Sequence, residues 1–255
     1  MTGSRASRPA QIAGDFLDLR PSRATGPDAR PADARLLVTA FGRFDGGPNC
    51  SETLLERLSF EAGELKSLWG GPVRFALLPV VSETAEQELR SALDVARPTH
   101  VLLTGQAAGR MHVSFERVAR NHRHLAVPDE GGFAGALGPV REGGPAERVA
   151  TWPDLDGLAA ALSADGVAAR VSEDAGAHLC NQTLYLALEA AEAASPRFVT
   201  TFLHLPLLPE QVAANVPAAA RHENCFALPL DQMTRAVKRI LIHTRRSLPT
   251  GLSLS

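Results

Sequence analysis

Two side chains with complementary chemistry stand at matching places in this sequence. Cys180, in DAGAHLCNQTLYLALEAAEAA (residues 174–194), sits where an extended segment gives way to a run with Leu184, Leu188 and Ala191 at helical spacing. A cysteine at a helix start faces unpaired backbone N–H groups and the positive end of the helix dipole, surroundings that favour thiolate over thiol. His204 closes the apolar segment RFVTTFLHLP and so leaves the C-terminal end of a strand. One helix and one strand separate the two residues. Neighbouring strands lie about 5 Å apart, which brings groups at adjacent strand ends within hydrogen-bond reach. An imidazole placed there can take the thiol proton and make the sulfur a nucleophile. A carboxylate that fixes the imidazole tautomer completes such a set. Glu116, in SFERVARN with Phe115 and Val118 as apolar neighbours, is the best-placed candidate.

The residue types alone leave other readings open. Cys180 equally suits a packed position on an apolar helix, and His204 a hydrogen-bonded structural role. Cys50 also precedes a helical run and is an alternative reactive thiol. Glu116 and Arg117 can form half of a surface ion-pair set. GQAAGR, residues 105–110, lacks the GK[ST] ending of a phosphate loop and reads more simply as a tight turn after a strand.

The elements that must position these residues follow from pattern. RLLVTAF is a compact apolar run without alternation, as a buried parallel strand requires, VRFALLPVV reads as a second strand and THVLLTGQ as a third, buried one. Between them lie ETLLERLSFEAGEL, with Ser51 as its expected N-cap, and ETAEQELRSALDVA, with Ser82 as its expected cap. The order β, α, β, α, β predicts crossover helices over both faces of a sheet. MHVSFERVARN reads as an extended arm or outer strand pair, followed by a Gly-rich loop. DLDGLAAALSADG then reads as a helix with Asp154 near its start and Gly166 at its end. VAARVSE and RFVTTFLHLP are further strands, and DQMTRAVKRILIHTRR is a closing amphipathic helix. The expected fold class is α/β: one three-layer α/β/α domain with a largely parallel twisted sheet. Residues 1–34 are rich in Arg, Pro, Ala, Gly and Asp and are expected to form a loosely ordered arm, with Phe16 and Leu17 as a short apolar patch that could dock. The domain is expected over residues 35–255.

With 255 residues, 45% hydrophobic and 21% charged, the chain has the composition of an ordinary globular protein. A net charge of −2 without a basic block argues against nucleic-acid binding. The three cysteines form no CxxC pair, which disfavours a zinc cluster or a disulfide framework and points to a reducing cytoplasm. No apolar run predicts a signal peptide or a membrane span.

Several segments together resemble the type I pyroglutamyl peptidases (pyrrolidone-carboxylate peptidases). These are LLVTAFGRFDGGPNCS, GQAAGRMHVSFERVARN, VPDEGG, EGGP, DAGAHLCNQTLY and FLHLPLLPEQ, in that order over residues 35–246. The resemblance implies a cysteine peptidase that removes N-terminal 5-oxoproline through a thioester, with Glu116, Cys180 and His204 as its catalytic residues. It implies a lactam pocket shaped by Phe41 and Phe44, with Asn49, Gln106, His178 and Leu179 alongside. It also implies assembly as a homo-oligomer, dimer or tetramer, and needs no cofactor or metal. The alternatives are a related thiol amidase for another cyclic or N-blocked acyl group, and a silent binding homologue.

The shell around these residues departs from the family pattern. Ala40 and Arg43 stand for Gly and Pro, Ala126 for an Arg, Gln182 for a His, and His178 for an aromatic cover. On contact grounds, His178→Phe is expected to raise activity toward pyroglutamyl substrates.

Overall fold

The computed structural model describes residues 34–247. The expectations for residues 1–33, Phe16 and Leu17 included, and for residues 248–255 lie outside them. Ala34 is buried, and its carbonyl accepts from Trp69 Nε1 at 3.1 Å.

Six strands form the central sheet: β1 (Leu36–Phe41), β2 (Val73–Leu78), β3 (His100–Gln106), β4 (Val113–Glu116), β9 (Ala169–Ser172) and β10 (Val199–Leu205), in the order β2-β1-β3-β10-β4-β9. The first four in that order run parallel. β4 is antiparallel to β10 and parallel to β9. Two small antiparallel ribbons stand outside the sheet: β5 (Val118–Arg120) with β8 (Glu147–Val149), and β6 (Arg123–Leu125) with β7 (Gly135–Gly138).

Helices cover both faces. On one lie α1 (Cys50–Phe60), α2 (Ala62–Trp69), α4 (Leu155–Ala164) and α8 (Leu230–Ser247), packed on Leu36, Val38, Phe115 and Leu203. On the other lie α3 (Ser82–Ala96) and α5 (Leu179–Ala193), packed on Leu37, Val101, Leu103 and Phe202. The alternation of side chains along each strand divides the apolar residues between these two cores. This is the α/β/α arrangement expected. Short helices α6 (Pro209–Ala213) and α7 (Pro217–Ala220) follow β10.

Three local expectations are corrected. The segment VSFE is not an outer strand. β4 lies between β10 and β9, buried throughout, because its pairing is set by strands far from it in sequence. The cap of α1 is Asn49, whose Oδ1 accepts from Ser51 N at 3.0 Å, so the helix begins at Cys50 and ends at Phe60 with α2 a separate helix. Ser82 does not cap α3 with its side chain. Its backbone N–H instead donates to Asp129 Oδ2 at 2.7 Å, a cap supplied from 47 residues away.

Asp129 Oδ1 also accepts from Gly131 N at 2.9 Å and Phe133 N at 3.0 Å. Burial alone would raise its carboxyl, but the bonds from Ser82, Phe133 and Gly131 outweigh it and hold it below the ordinary carboxylate range. Asp129→Ala is therefore expected to destabilise the fold by about 2–3 kcal/mol at neutral pH, read from urea unfolding. A depressed folded-state carboxyl stabilises above its unfolded value and stops doing so as pH falls through the folded value. The wild-type advantage should accordingly vanish in acid.

Candidate active site

The parallel strands β1, β3 and β10 end together, and their ends, with residues 124–127 and the turn between β9 and α5, wall a cavity of about 450 Å³. Phe41, Phe44, Asn49, Gln106, His178, Leu179, Cys180 and His204 all line it. Of the residues expected to form the site, only Glu116 does not. It is fully buried behind His204.

Topology explains that placement. In the antiparallel β10–β4 pair, Phe202 is opposite Glu116 and His204 opposite Ser114. Glu116 and His204 are thus diagonal neighbours on one face, within reach of long side chains. His204 Nδ1 lies 2.8 Å from Glu116 Oε1. With the carboxylate accepting at Nδ1, Nε2 is the nitrogen left for the sulfur. Cys180, second residue of α5, is within hydrogen-bond reach of the imidazole. Gly105 pairs with His204 in the sheet, and a Cβ there would lie 3.1 Å from Cys180 Sγ and 2.6 Å from Phe202 Cζ. A larger residue at 105 would displace the sulfur.

Burial works against the charged form of His204. The Cys180 sulfur and the Glu116 carboxylate outweigh it and push the imidazolium up to about 9. Cys50 has the opposite environment. It has no exposed surface and its Sγ points to Leu205 O at 3.9 Å; burial pushes its thiol well above the ordinary range. Both features disfavour Cys50 as the reactive thiol.

Two amides are oriented by their own neighbours. Gln106 Oε1 accepts from Cys50 N at 3.0 Å and from Gln211 Nε2 at 2.8 Å. Asn49 Oδ1 accepts from Ser51 N at 3.0 Å and Ser51 Oγ at 2.8 Å. In both, the oxygen is occupied and the NH₂ is the free end. His178 Nε2 is 3.0 Å from Val127 O, so it donates there, and its ring tilts against Phe44 at 5.1 Å between centroids. Burial lowers its titration despite the Val127 carbonyl and Asp129, so the ring stays neutral near neutral pH. Gln182 Nε2 reaches Ser82 O at 3.0 Å and braces α5 against α3.

Reading the residues alone missed Gln211 and Arg110. Gln211 was visible as the last residue of PEQ, but nothing in the sequence connects it to Gln106, 105 positions away. Arg110 donates from Nη2 to Glu116 Oε1 at 3.1 Å, a contact its place in GQAAGR does not announce. Among the described residues no cluster of His, Cys, Asp and Glu is arranged to hold a metal ion, and no helix is long and apolar enough to cross a membrane.

A cysteine at a helix start, facing an imidazole backed by a buried carboxylate at the strand ends of an α/β sheet, defines a thiol hydrolase site. A family model described as pyroglutamyl peptidase matches residues 34–245. The pyrrolidone-carboxylate peptidase of Chromobacterium violaceum is 35% identical over 206 residues, 80% of this chain and 89% of its own. That of Coprothermobacter proteolyticus is 32% identical over 80% of this chain and 94% of its own. Among solved structures, pyroglutamyl peptidase I of Bacillus amyloliquefaciens superposes with a TM-score of 0.72 at 26% identity, over 84% of this chain and 98% of that one. The pyrrolidone carboxyl peptidase of Pyrococcus furiosus superposes with 0.74 at 26% identity, over 83% and 98%. The chain belongs to the pyroglutamyl peptidase family and is a cysteine omega-peptidase.

Proposed function

We propose that this chain removes N-terminal pyroglutamate from peptides or small amides, with Cys180 as nucleophile, His204 as general acid–base and Glu116 as the group that orients it. The observation that carries the reading is the single imidazole shared between Glu116 and Cys180 at the edge of a cavity that no carboxylate lines.

Recognition follows from what lines that cavity. Phe41, Phe44, Val80, Val127 and Leu179 offer apolar surface to a flat lactam, and no carboxylate is among the lining residues. A charged α-ammonium would enter without a counter-ion, which is costly, whereas the lactam carries no such charge. The NH₂ groups of Gln106 and Asn49 supply donors for its carbonyl oxygen.

Catalysis would then run in two steps. Cys180 Sγ attacks the acyl carbon while His204 Nε2 holds the thiol proton. The oxyanion forms beside the first N–H groups of α5, where the first backbone bond is from Gln182 N to His178 O, leaving earlier N–H groups outside the helix ladder. His204 passes the proton to the departing amine, and water hydrolyses the thioester. The test is release of a fluorescent amine from a pyroglutamyl amide, compared with prolyl and glutaminyl amides. Turnover of another cyclic acyl amide with the pyroglutamyl one inert would favour the related amidase instead. An odd, sparse cysteine set supports a cytoplasmic setting. Assembly as a homo-oligomer belongs to the same proposal and is read by sedimentation.

The geometry around His178 supports the opposite expectation to the one drawn from contact area. His178→Phe keeps a ring against Phe44 but leaves Val127 O without its donor and frees the segment that carries Ala126 and Val127. Losing one such bond costs about 1 kcal/mol, so kcat/KM should fall roughly three- to ten-fold. A rise on the same substitution would mean that ring contact outweighs the Val127 tether.

A further inference from the structure

We propose that Arg110 is a positioning residue for the reaction, tying the Glu116 carboxylate to the loop that delivers Cys180. This rests on the catalytic reading above. Arg110 follows β3, and its guanidinium spans three acceptors. Nη2 donates to Glu116 Oε1 at 3.1 Å and to the Asp174 carbonyl at 2.6 Å, and Nη1 donates to Ser172 Oγ at 3.2 Å. Ser172 is the last residue of β9, and Asp174 opens the turn that runs into Cys180. The Asp174 carboxylate is itself held by Gly176 N and Arg120 Nη1, both at 2.9 Å. One side chain therefore fixes the acid relative to the approach of the nucleophile.

The electrostatics point the same way. Glu116 has no exposed surface, and its Oε2 has no protein partner, so Oε1 receives both His204 and Arg110. His204 is charged for only part of the proposed cycle, whereas a guanidinium is charged throughout. The other ionisable groups around this set are His112 ahead of β4, Arg170 on β9, Asp174, Cys180 on α5, and Cys50 on α1. Among the described residues, Arg110 and His204 are the cationic side chains in contact with Glu116. A lysine would keep the charge but cannot span three acceptors.

The test separates charge from position. In Arg110→Met, loss of the cation raises the proton affinity of the coupled Cys180–His204–Glu116 set, so the acid limb of kcat/KM should move up by roughly one pH unit. In Arg110→Lys the limb should stay within a few tenths of a unit, while kcat falls about five- to twenty-fold with KM little changed. A purely structural arginine would lower the melting temperature without moving the limb. Alkylation of Cys180 by iodoacetamide, mapped by mass spectrometry, reads the same limb and a parallel rate loss with no substrate present. A protein inert toward pyroglutamyl amides would thus defeat the proposed function and leave this test in force. A folded Arg110→Met protein with the wild-type limb overturns the proposal. So does an Arg110→Lys protein with wild-type kcat and alkylation rate, which decides alone if the Met variant does not fold.

Discussion

Cys180→Ala is expected to release no measurable amine from a pyroglutamyl amide, a loss of at least about 10³-fold in kcat. The imidazole, the carboxylate and the cavity all survive the substitution, so substrate should still bind; only the atom proposed to form the thioester is gone. The control is Cys50→Ser. Cys50 has no exposed surface and its sulfur makes only a long polar contact, to Leu205 O, so losing the thiol should leave most of the activity and be felt in stability. The two thiols start comparable helices, α1 and α5, yet only Cys180 opens onto the cavity and meets His204. A helix start by itself does not make a nucleophile. Hydrolysis that persists in Cys180→Ala, or disappears in a folded Cys50→Ser, would reverse the assignment.

The parts of this fold that rest on local pattern could be read from the sequence. The strands β1, β3 and β10 are legible as short continuous apolar runs, and the helices that cross between them by their helical periodicity. Cys180 and His204 sit at the ends of such elements, so their meeting followed from the topology of a parallel sheet. Glu116 did not follow in the same way. Its strand has four residues, and its insertion between β10 and β9 is a tertiary choice with no local signature. From the residues alone it was a candidate chosen for its apolar neighbours Phe115 and Val118, with a surface ion pair beside Arg117 as the other reading; the resemblance to a family favoured the first. The caps show the same divide. The Asn49 cap was missed by two positions, whereas the Asp129 cap on α3 depends on a loop brought in from 47 residues away. Gln106 was expected in the pocket, but the reason its NH₂ is the free end lies in Gln211 and Cys50, which only folding brings to it.

Glu116→Gln is expected to lower kcat by roughly 10²- to 10⁴-fold with a much smaller effect on folding. The amide has two orientations, and neither reproduces the carboxylate. With its oxygen at the Oε1 position it can accept from both His204 and Arg110, but its NH₂ then occupies the Oε2 position, where no protein acceptor waits. Turned over, the NH₂ meets the Arg110 guanidinium and donates to Nδ1, which forces the proton onto Nε2, the nitrogen that must take the one from Cys180. Either way the negative charge that supports the imidazolium is lost, and the charge of Arg110 is left to oppose it. His204, held up to about 9 in the wild type, should therefore deprotonate at lower pH. The alkaline limb of kcat, where the imidazolium can no longer protonate the leaving amine, should move down by roughly one to two units. Ser172 Oγ and the Asp174 carbonyl still hold Arg110, so the melting temperature should shift by only a few degrees. The measurement is the pH dependence of kcat for wild type and Glu116→Gln on one pyroglutamyl amide. A folded variant with the wild-type rate and an unmoved alkaline limb would make Glu116 a buried structural acid and pass the orientation of His204 to another residue.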